Sequence, residues 1–296
     1  MAHETDCSTV PRRQLGRYLT QLRTDAGVSL DDAARALRCS RQKIWRIERG
    51  MIAVRTPDLS VMCDLYRVVP AMAEVLSGVA REGRARGWWQ AYGDAIPAWF
   101  SLYVGLEEAA SRLRHYNAEL VPGLLQTRAF MLELHRVNRP ELPAAERDRA
   151  IAVRLHRQRL LVRRLPPAPD LEVILSEAVL RRPVPDRAVM RDQLHALRDH
   201  GWLPNVHIRI LPLSAGPPLA GEAGTFTVLD FPRMRPMSPA EPTTIYCEGL
   251  TGALYLDRPA EVAAYTRIWR GLDAAALGEE QSRKLIEAIA EEYGDD

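Results

Sequence analysis

The sequence predicts an α+β protein in which an all-α domain of five short helices precedes a larger domain of helices and about five strands. Three observations support this prediction. Over the first 86 residues, apolar side chains recur at helical spacing between residues that cap or end helices. An aromatic-rich junction at 87–104 then carries Trp88, Trp89, Trp99 and Phe100. Beyond residue 170 the apolar period changes to two, as in strands, so we expect domains at 1–86 and 105–296.

The five N-terminal helices are separated by short capping signals. Gly27 closes the first helix, Ser29 and Ser40 are good N-caps for the second and third, and Gly50 ends the third. Proline at 57 opens the fourth helix in its first turn. The predicted helices span 12–25, 30–37, 40–49, 57–68 and 71–86.

The larger domain mixes both periodicities. In the segment 206–210, for example, Val206, Ile208 and Ile210 alternate with His207 and Arg209, as expected of a half-buried strand. The predicted strands are 171–175, 206–211, 225–231, 243–248 and 252–256. The predicted helices are 105–116, 124–137, 143–165, 185–200, 259–276 and 282–293.

The composition is that of a soluble protein with a sizeable core. Of its 296 residues, 47% are hydrophobic and 26% are charged, which excludes a disordered chain. The polar start and the lack of a run of roughly 18 apolar residues predict a cytoplasmic protein with no membrane span. The four cysteines, at 7, 39, 63 and 247, lack paired spacing, so we expect no disulfide framework, metal site or cofactor.

The charge of the chain is unevenly distributed. Residues 10–55 hold 11 basic side chains against four acidic ones, a balance of +7, whereas the whole chain carries only +2. The remainder is therefore net acidic. A basic N-terminal domain on an acidic body is typical of a protein whose first domain meets a polyanion.

The third helix concentrates this charge. Two helices joined by a short turn, the second capped and basic, form a helix-turn-helix, and the major groove of DNA admits one such helix. We expect Arg41, Gln42 and Arg46 to contact base edges, and Ser40 and Lys43 to contact phosphate. The full predicted DNA-binding set is Ser40, Arg41, Gln42, Lys43, Trp45, Arg46 and Arg49. The alternative is an ordinary solvated helix face.

The segment "SLDDAARALRCSRQKIWRIERG" resembles the Cro/phage-repressor (XRE) helix-turn-helix family over about residues 12–70. The matching features are Ala34, Ser40 and the ending Ile-x-x-Ile-Glu-x-Gly. The resemblance implies that Arg23 of the first helix pairs with Glu48 near the end of the third. The chain departs from the family at Leu30, where a phosphate-binding glutamine is usual.

The chemistry of the larger domain allows two readings. Glu177 and Glu248 each lie at the end of a predicted strand and could form an acid–base pair, as in an enzyme with a DNA-binding head. They could equally act as caps or as partners of Arg181 and Arg182. We expect no catalytic residues, because nucleophile–base, phosphate-loop and metal spacings do not occur.

A second resemblance covers about residues 100–290. The segments "LEEAASRLRHYNAELVPGLLQT", "SEAVLRRPV", "QLHAL", "VHIRILPLSAG", "GTFTVLDF" and "IYCEG" are similar to the C-terminal domain of WhiJ-like, antitoxin-like regulators. The resemblance implies a regulator whose second domain serves assembly or sensing, often with a small protein encoded nearby. We therefore predict binding to double-stranded DNA as a homodimer, with a small-molecule effector or a small protein partner. An antitoxin whose main role is partner binding is the alternative.

Overall fold

The computed structural model describes residues 10–82, 92, 96, 98–218, 220–232 and 241–294. The chain divides into two compact units. The first contains Met1–Ala91, Pro97–Ala109 and Pro232–Glu241, and the second contains Tyr92–Ile96, Ala110–Phe231 and Pro242–Asp296. Residues 97–109 group with the first unit, so this division differs from the predicted boundaries at 86 and 105. Half of the predicted aromatic junction at 87–104, including Trp88 and Trp89, lies outside the described residues.

The first unit is all-α in its described residues, and its first five helices follow the predicted order. They are α1 (Val10–Asp25), α2 (Leu30–Ala36), α3 (Arg41–Glu48), α4 (Thr56–Leu65) and α5 (Pro70–Glu82). A sixth helix, α6, spans Ala98–Ala109. Leu19, Ile44 and Met62 come from three different helices and are each fully buried in one shared core.

Two glycines let α1 approach the end of α3. A Cβ added at Gly16 would lie 2.4 Å from the Glu48 carbonyl oxygen. A Cβ at Gly50, which has a φ of +65°, would lie 2.7 Å from the Arg13 Cα. A side chain at either position would collide with backbone, so the α1–α3 crossing requires glycine on both sides.

The second unit is built on a six-stranded mixed sheet. The strands are β1 (Arg112–Asn117), β2 (Asp170–Ser176), β3 (Val206–Leu211), β4 (Phe226–Asp230), β5 (Thr244–Gly249) and β6 (Gly252–Leu256). Their order is β3-β2-β1-β4-β5-β6. The first three pair in parallel, and β4, β5 and β6 continue the sheet antiparallel.

In the described residues of the second unit, six α-helices accompany this sheet. They are α7 (Arg128–Asn138), α8 (Ala144–Gln158), α9 (Glu177–Arg181), α10 (Arg187–His200), α11 (Pro259–Ala275) and α12 (Glu279–Glu292). Short 3₁₀ turns occur at Gly123–Leu125, Arg159–Val162 and Leu213–Ala215. Trp269 and Leu272 of α11 pack on one face of the sheet, against a buried cluster that includes Ile174, Phe226 and Ile245.

The structure corrects one predicted element. The segment 105–116 was expected to be one helix, but α6 ends at Ala109 and β1 begins at Arg112. β1 lies between β2 and β4 in the interior of the sheet. The α+β class is confirmed, and the described sheet has six strands because of β1. Across the described residues, no helix combines the length and apolar character needed to cross a membrane.

Candidate nucleic-acid interface

The turn between α2 and α3 is fixed by local hydrogen bonds. Arg38 adopts a left-handed conformation, with a φ of +49°, and the Cys39 amide donates to the Ala34 carbonyl at 2.9 Å. Ser40 then caps α3, its Oγ accepting from the Lys43 amide at 3.2 Å. The Ser40 hydroxyl proton remains available to donate to an acceptor such as a phosphate oxygen.

The inner face of α3 anchors the helix to the bundle. Ile44 and Ile47 are buried in the core of the first unit. Arg23 of α1 forms a bidentate ion pair with Glu48 at the end of α3. Arg23 Nε lies 2.7 Å from Glu48 Oε1, and Arg23 Nη2 lies 2.9 Å from Glu48 Oε2. The carboxylate raises the pKa of Arg23 by accepting these hydrogen bonds. The recognition helix is therefore held to α1 by both packing and charge.

Further contacts make this anchor a small network. Thr20 donates to Glu48 Oε2 at 3.3 Å, and Arg23 Nη1 donates to the Val28 carbonyl at 3.0 Å. The Tyr66 hydroxyl is buried beside the pair and has no hydrogen-bond partner among the described residues, and burial raises its pKa. Sequence reasoning did not find Thr20 or Tyr66, because neither is close to Glu48 along the chain.

The outer face of α3 is exposed and basic. Arg41, Gln42, Trp45, Arg46 and Arg49 are all exposed. The guanidinium of Arg49 lies over the Trp45 ring, 5.9 Å from its centroid, and Arg41 lies 3.9 Å from an Asp31 carboxylate oxygen. Within the described chain, Arg46 and Arg49 have no carboxylate within ion-pair distance. Five of the seven predicted DNA-binding residues thus share one solvent-facing surface, which we call the α3 outer face.

Lys43 lies apart from this surface. It is half-buried, and its Nζ pairs with Asp58 Oδ2 of α4 at 2.8 Å. The sequence signal missed this partner, because Asp58 lies 15 positions away. Lys43 would have to leave Asp58 in order to bind a phosphate, so its charge is partly neutralised in advance.

Leu30 explains the departure from the family pattern at that position. Its side chain packs against the core of the first unit, where it stabilises the start of α2. The N-terminus of α2 is instead capped by Ser29, whose Oγ accepts from the Asp32 amide at 3.1 Å. A phosphate contact from residue 30 is therefore not available.

The two glutamates singled out in the second unit have separate partners. Glu177 accepts from Arg181 Nε at 2.6 Å and from the Leu213 amide at 2.9 Å. Burial raises its pKa, but these two hydrogen bonds outweigh burial and leave the pKa below its usual range. Glu248 accepts from the Tyr246 hydroxyl at 2.9 Å.

The sheet also keeps these glutamates apart. They follow β2 and end β5, with two strands between, and three strand spacings amount to about 14 Å. Acid–base carboxylate pairs in hydrolases lie roughly 5–10 Å apart. The strand spacing and the separate partners of Glu177 and Glu248 therefore give no support to a paired acid and base at these two residues. Among the residues described, no cluster of histidine, cysteine or acidic side chains could hold a metal ion.

A capped helix after a short turn, anchored inward and basic outward, defines the first unit as a DNA-binding domain of the helix-turn-helix class. Residues 14–76 match the family model of a helix-turn-helix domain. Residues 100–288, more than half of the chain, match a domain of unknown function, DUF5753, and the protein belongs to that family. Nothing among the curated proteins or the solved structures matches the chain.

Proposed function

We propose that this protein is a sequence-specific transcriptional regulator that places α3 in the major groove of double-stranded DNA. The observation that carries the proposal is the α3 outer face, a set of exposed arginines and Gln42 on a helix of fixed orientation. In the described chain, Arg46 and Arg49 of this face have no carboxylate partner. A guanidinium matches the O6 and N7 of guanine, and a glutamine amide matches the N6 and N7 of adenine. The apolar inner face and the Arg23–Glu48 pair hold that surface in place.

The roles of individual residues follow from their positions. Arg41 and Gln42 lie in the first turn and Arg46 one turn later, so these three reach base edges. Ser40 donates to phosphate at the helix N-terminus. Trp45 and Arg49 stack together and flank the contact. Lys43 contributes less than Arg46, because Asp58 already neutralises it.

The second unit, in this proposal, makes the protein a homodimer. A single helix-turn-helix covers a short half-site, and useful affinity requires two at fixed spacing. The two edges of the sheet differ. The β3 edge is covered: Leu277 donates to the Ile210 carbonyl at 2.8 Å, and Ser282 Oγ accepts from the Ile210 amide at 2.9 Å.

The β6 edge is the candidate interface. In the described part of the chain β6 pairs only with β5, and its residues 252–256 are uncharged. An uncharged edge strand with the exposed apolar Leu254 can pair antiparallel with the same strand of a second copy. Sedimentation of the full chain tests this. Leu254→Arg should yield monomers, whereas Leu250→Arg, at the exposed turn before β6, should not.

We further propose that the second unit senses by binding and does not catalyse a reaction. The separation of Glu177 from Glu248 and the ion-pair partner of Glu177 support this. Whether a small protein also binds, as the WhiJ-like resemblance implies, stays a prediction. Purification from the native cell followed by mass determination would show a second, smaller chain if it does.

DNA binding is tested by mapping the sites bound in the cell and measuring affinity for them by gel shift. Arg46→Ala should weaken specific binding by about 1–3 kcal/mol and relax preference at one base position. Arg81→Ala, which removes an exposed arginine from the last turn of α5, is the matched control and should bind normally. Equal affinities for wild type and Arg46→Ala would refute the assignment of α3.

A further inference from the structure

A cavity of about 570 Å³ opens in the second unit. It lies where β1 and β2 end: these strands are parallel, with Asn117 opposite Leu175, so the segments that follow them leave the same edge of the sheet. Ligands of α/β sheets commonly bind beyond the carboxyl ends of parallel strands. The cavity is lined by Glu119, Leu120, Val121, Phe130, Leu134, Val137, Asn138, Val179, Arg182, Pro183, Val184 and Pro185.

The residues that line the cavity are mainly apolar, and they range from buried to more than half exposed. Val121, Phe130 and Val179 are buried and form its floor. Leu120 and Val137 are exposed at 41% and 56%, which is high for large apolar side chains beside a concave surface. Covering them would remove apolar area from water, and a volume near 570 Å³ falls within the usual range for small-molecule sites, about 300–1,000 Å³.

One charged pair provides the polar side of the cavity. Arg182 binds Glu119 through Nη1, and the two side chains are 55% and 63% exposed. A pair so exposed contributes little stability, so it opens at small cost. A guanidinium carries five N–H donors, and this contact uses one of them. Arg182 therefore has donors to spare for a second acceptor.

The shape and the backbone chemistry favour a small molecule over a peptide. Pro183 and Pro185 form part of one wall, and proline has no amide N–H with which to pair an added strand. Other lining residues, among them Leu134 and Val137, lie on α7, whose backbone amides after its first turn are used within the helix. The site offers apolar contact and a guanidinium, but not a strand edge.

We propose that this cavity binds a small molecule with an apolar body and a carboxylate end, the carboxylate lying on Arg182. The role of this cavity as an effector site rests on the proposed function as a regulator. Ligand binding itself does not depend on DNA. Binding would bury Leu120 and Val137 and give Arg182 a second acceptor beside Glu119.

The test uses calorimetric titration of the full chain, without DNA, with three probes that share one apolar chain. Decanoate should bind most tightly, decan-1-ol more weakly, and decylamine weakest of the three. Arg182→Gln should weaken decanoate by about tenfold and leave decan-1-ol unchanged, because only the carboxylate accepts the charge-assisted hydrogen bond.

A matched pair of variants tests the location. Val137→Asp places a charge at the cavity mouth and should abolish decanoate binding. Val162→Asp changes a valine that is also more than half exposed but does not line the cavity, and it should leave binding intact. The proposal is overturned if none of the probes saturates, if the two aspartate variants behave alike, or if Arg182→Gln weakens decan-1-ol as much as decanoate. Because operator affinity is measured separately, a failure of DNA binding would leave this result interpretable.

Discussion

The arginines on α3 and those on the sheet of the second unit differ in whether a carboxylate pairs with them. On the α3 outer face, Arg46 and Arg49 are exposed and, in the described chain, have no carboxylate partner. On the sheet of the second unit, Arg112 and Arg114 are paired with Glu172 and Asp230. The Arg114 pair measures 2.8 Å. The same side chain is thus left available in one place and neutralised in another.

This difference is more informative than the number of arginines. A paired arginine fixes structure, since its charge is already matched by a carboxylate. An arginine without such a partner on a rigid helix is free to meet a phosphate or a base. Arg23 of α1 shows that both uses occur within the first unit, because its pair with Glu48 positions the exposed arginines of α3.

The largest effect is expected from breaking the buried pair. Glu48→Gln removes the charge that matches Arg23 and leaves a nearly buried guanidinium without its carboxylate. We expect the free energy of unfolding of the first unit to fall by about 3–5 kcal/mol. Urea unfolding of the full chain, followed by circular dichroism, measures the loss. Glu74→Gln, at an exposed position on α5, should change stability by less than about 0.5 kcal/mol. Equal stability of the two variants would mean that the pair does not anchor α3.

A methyl group at the α1–α3 crossing should have a slightly smaller effect. Gly16→Ala would place its Cβ 2.4 Å from the Glu48 carbonyl oxygen, so backbone must move, and we expect a loss of about 3 kcal/mol. Gly78→Ala meets nothing within 4 Å in the middle of α5 and should stabilise the protein by about 0.5–1 kcal/mol. The opposite signs separate close packing from helix propensity. A neutral Gly16→Ala would show that α1 and α3 do not cross this closely.

Local signals were sufficient for the helix-turn-helix and insufficient for β1. The caps, Ser29 and Ser40, lie next to the helices they start, so the sequence shows them directly. Only two residues separate β1 from the preceding helix, α6. Its polar residues have partners that are distant in sequence: His115 Nδ1 lies 3.2 Å from Thr227 Oγ1. Leu113, His115 and Tyr116 are buried whereas Arg112 is exposed, so burial in β1 does not follow an alternation of apolar and polar residues in the sequence.

The candidate site, too, was predictable only where the signals are local in sequence. The pairing of Arg23 with Glu48 came from a family resemblance, since 25 residues separate them. The partner of Lys43 could not be foreseen, because Asp58 also fits the first turn of α4 as a helix-stabilising acid. The cavity at the ends of β1 and β2 depends on strand order, which apolar periodicity does not reveal.

Acidification should destabilise the second unit, because His135 is buried beside arginines that oppose its protonation. Burial, together with Arg154, Arg139 and Arg147, lowers the pKa of His135 to about 4, and its Nε2 lies 3.3 Å from Arg154 Nη1. An unfolded histidine titrates near 6.5. Between pH 6.5 and 4 the unfolded chain therefore binds a proton that the folded chain does not, and stability falls as the pH falls.

We expect this histidine to contribute a loss of about 2 kcal/mol at pH 4, after allowance for solvent screening. Urea titrations at pH 7 and pH 4 measure it in wild type and in His135→Gln. The variant should lose less stability on acidification, because glutamine can accept from Arg154 but does not take up a proton. Identical losses in the two proteins would show that His135 titrates normally in the folded state.

The smallest expected effect tests the comparison most directly, because it changes the pairing of one cation and leaves the cation in place. Asp58→Asn removes the carboxylate that holds Lys43 at 2.8 Å. Lys43 then resembles Arg46, so affinity for the operator should rise by about 1 kcal/mol and the slope of log affinity against log salt should steepen by up to about one unit. Lys43→Ala alone should change affinity less than Arg46→Ala, since its charge is neutralised from the start. In the double variant Asp58→Asn/Lys43→Ala the gain should disappear, which excludes a general effect of removing a negative charge. Gel shifts at several salt concentrations measure wild type and these four variants. If Asp58→Asn tightens binding both with and without Lys43, then a carboxylate partner does not determine which cations of α3 bind DNA.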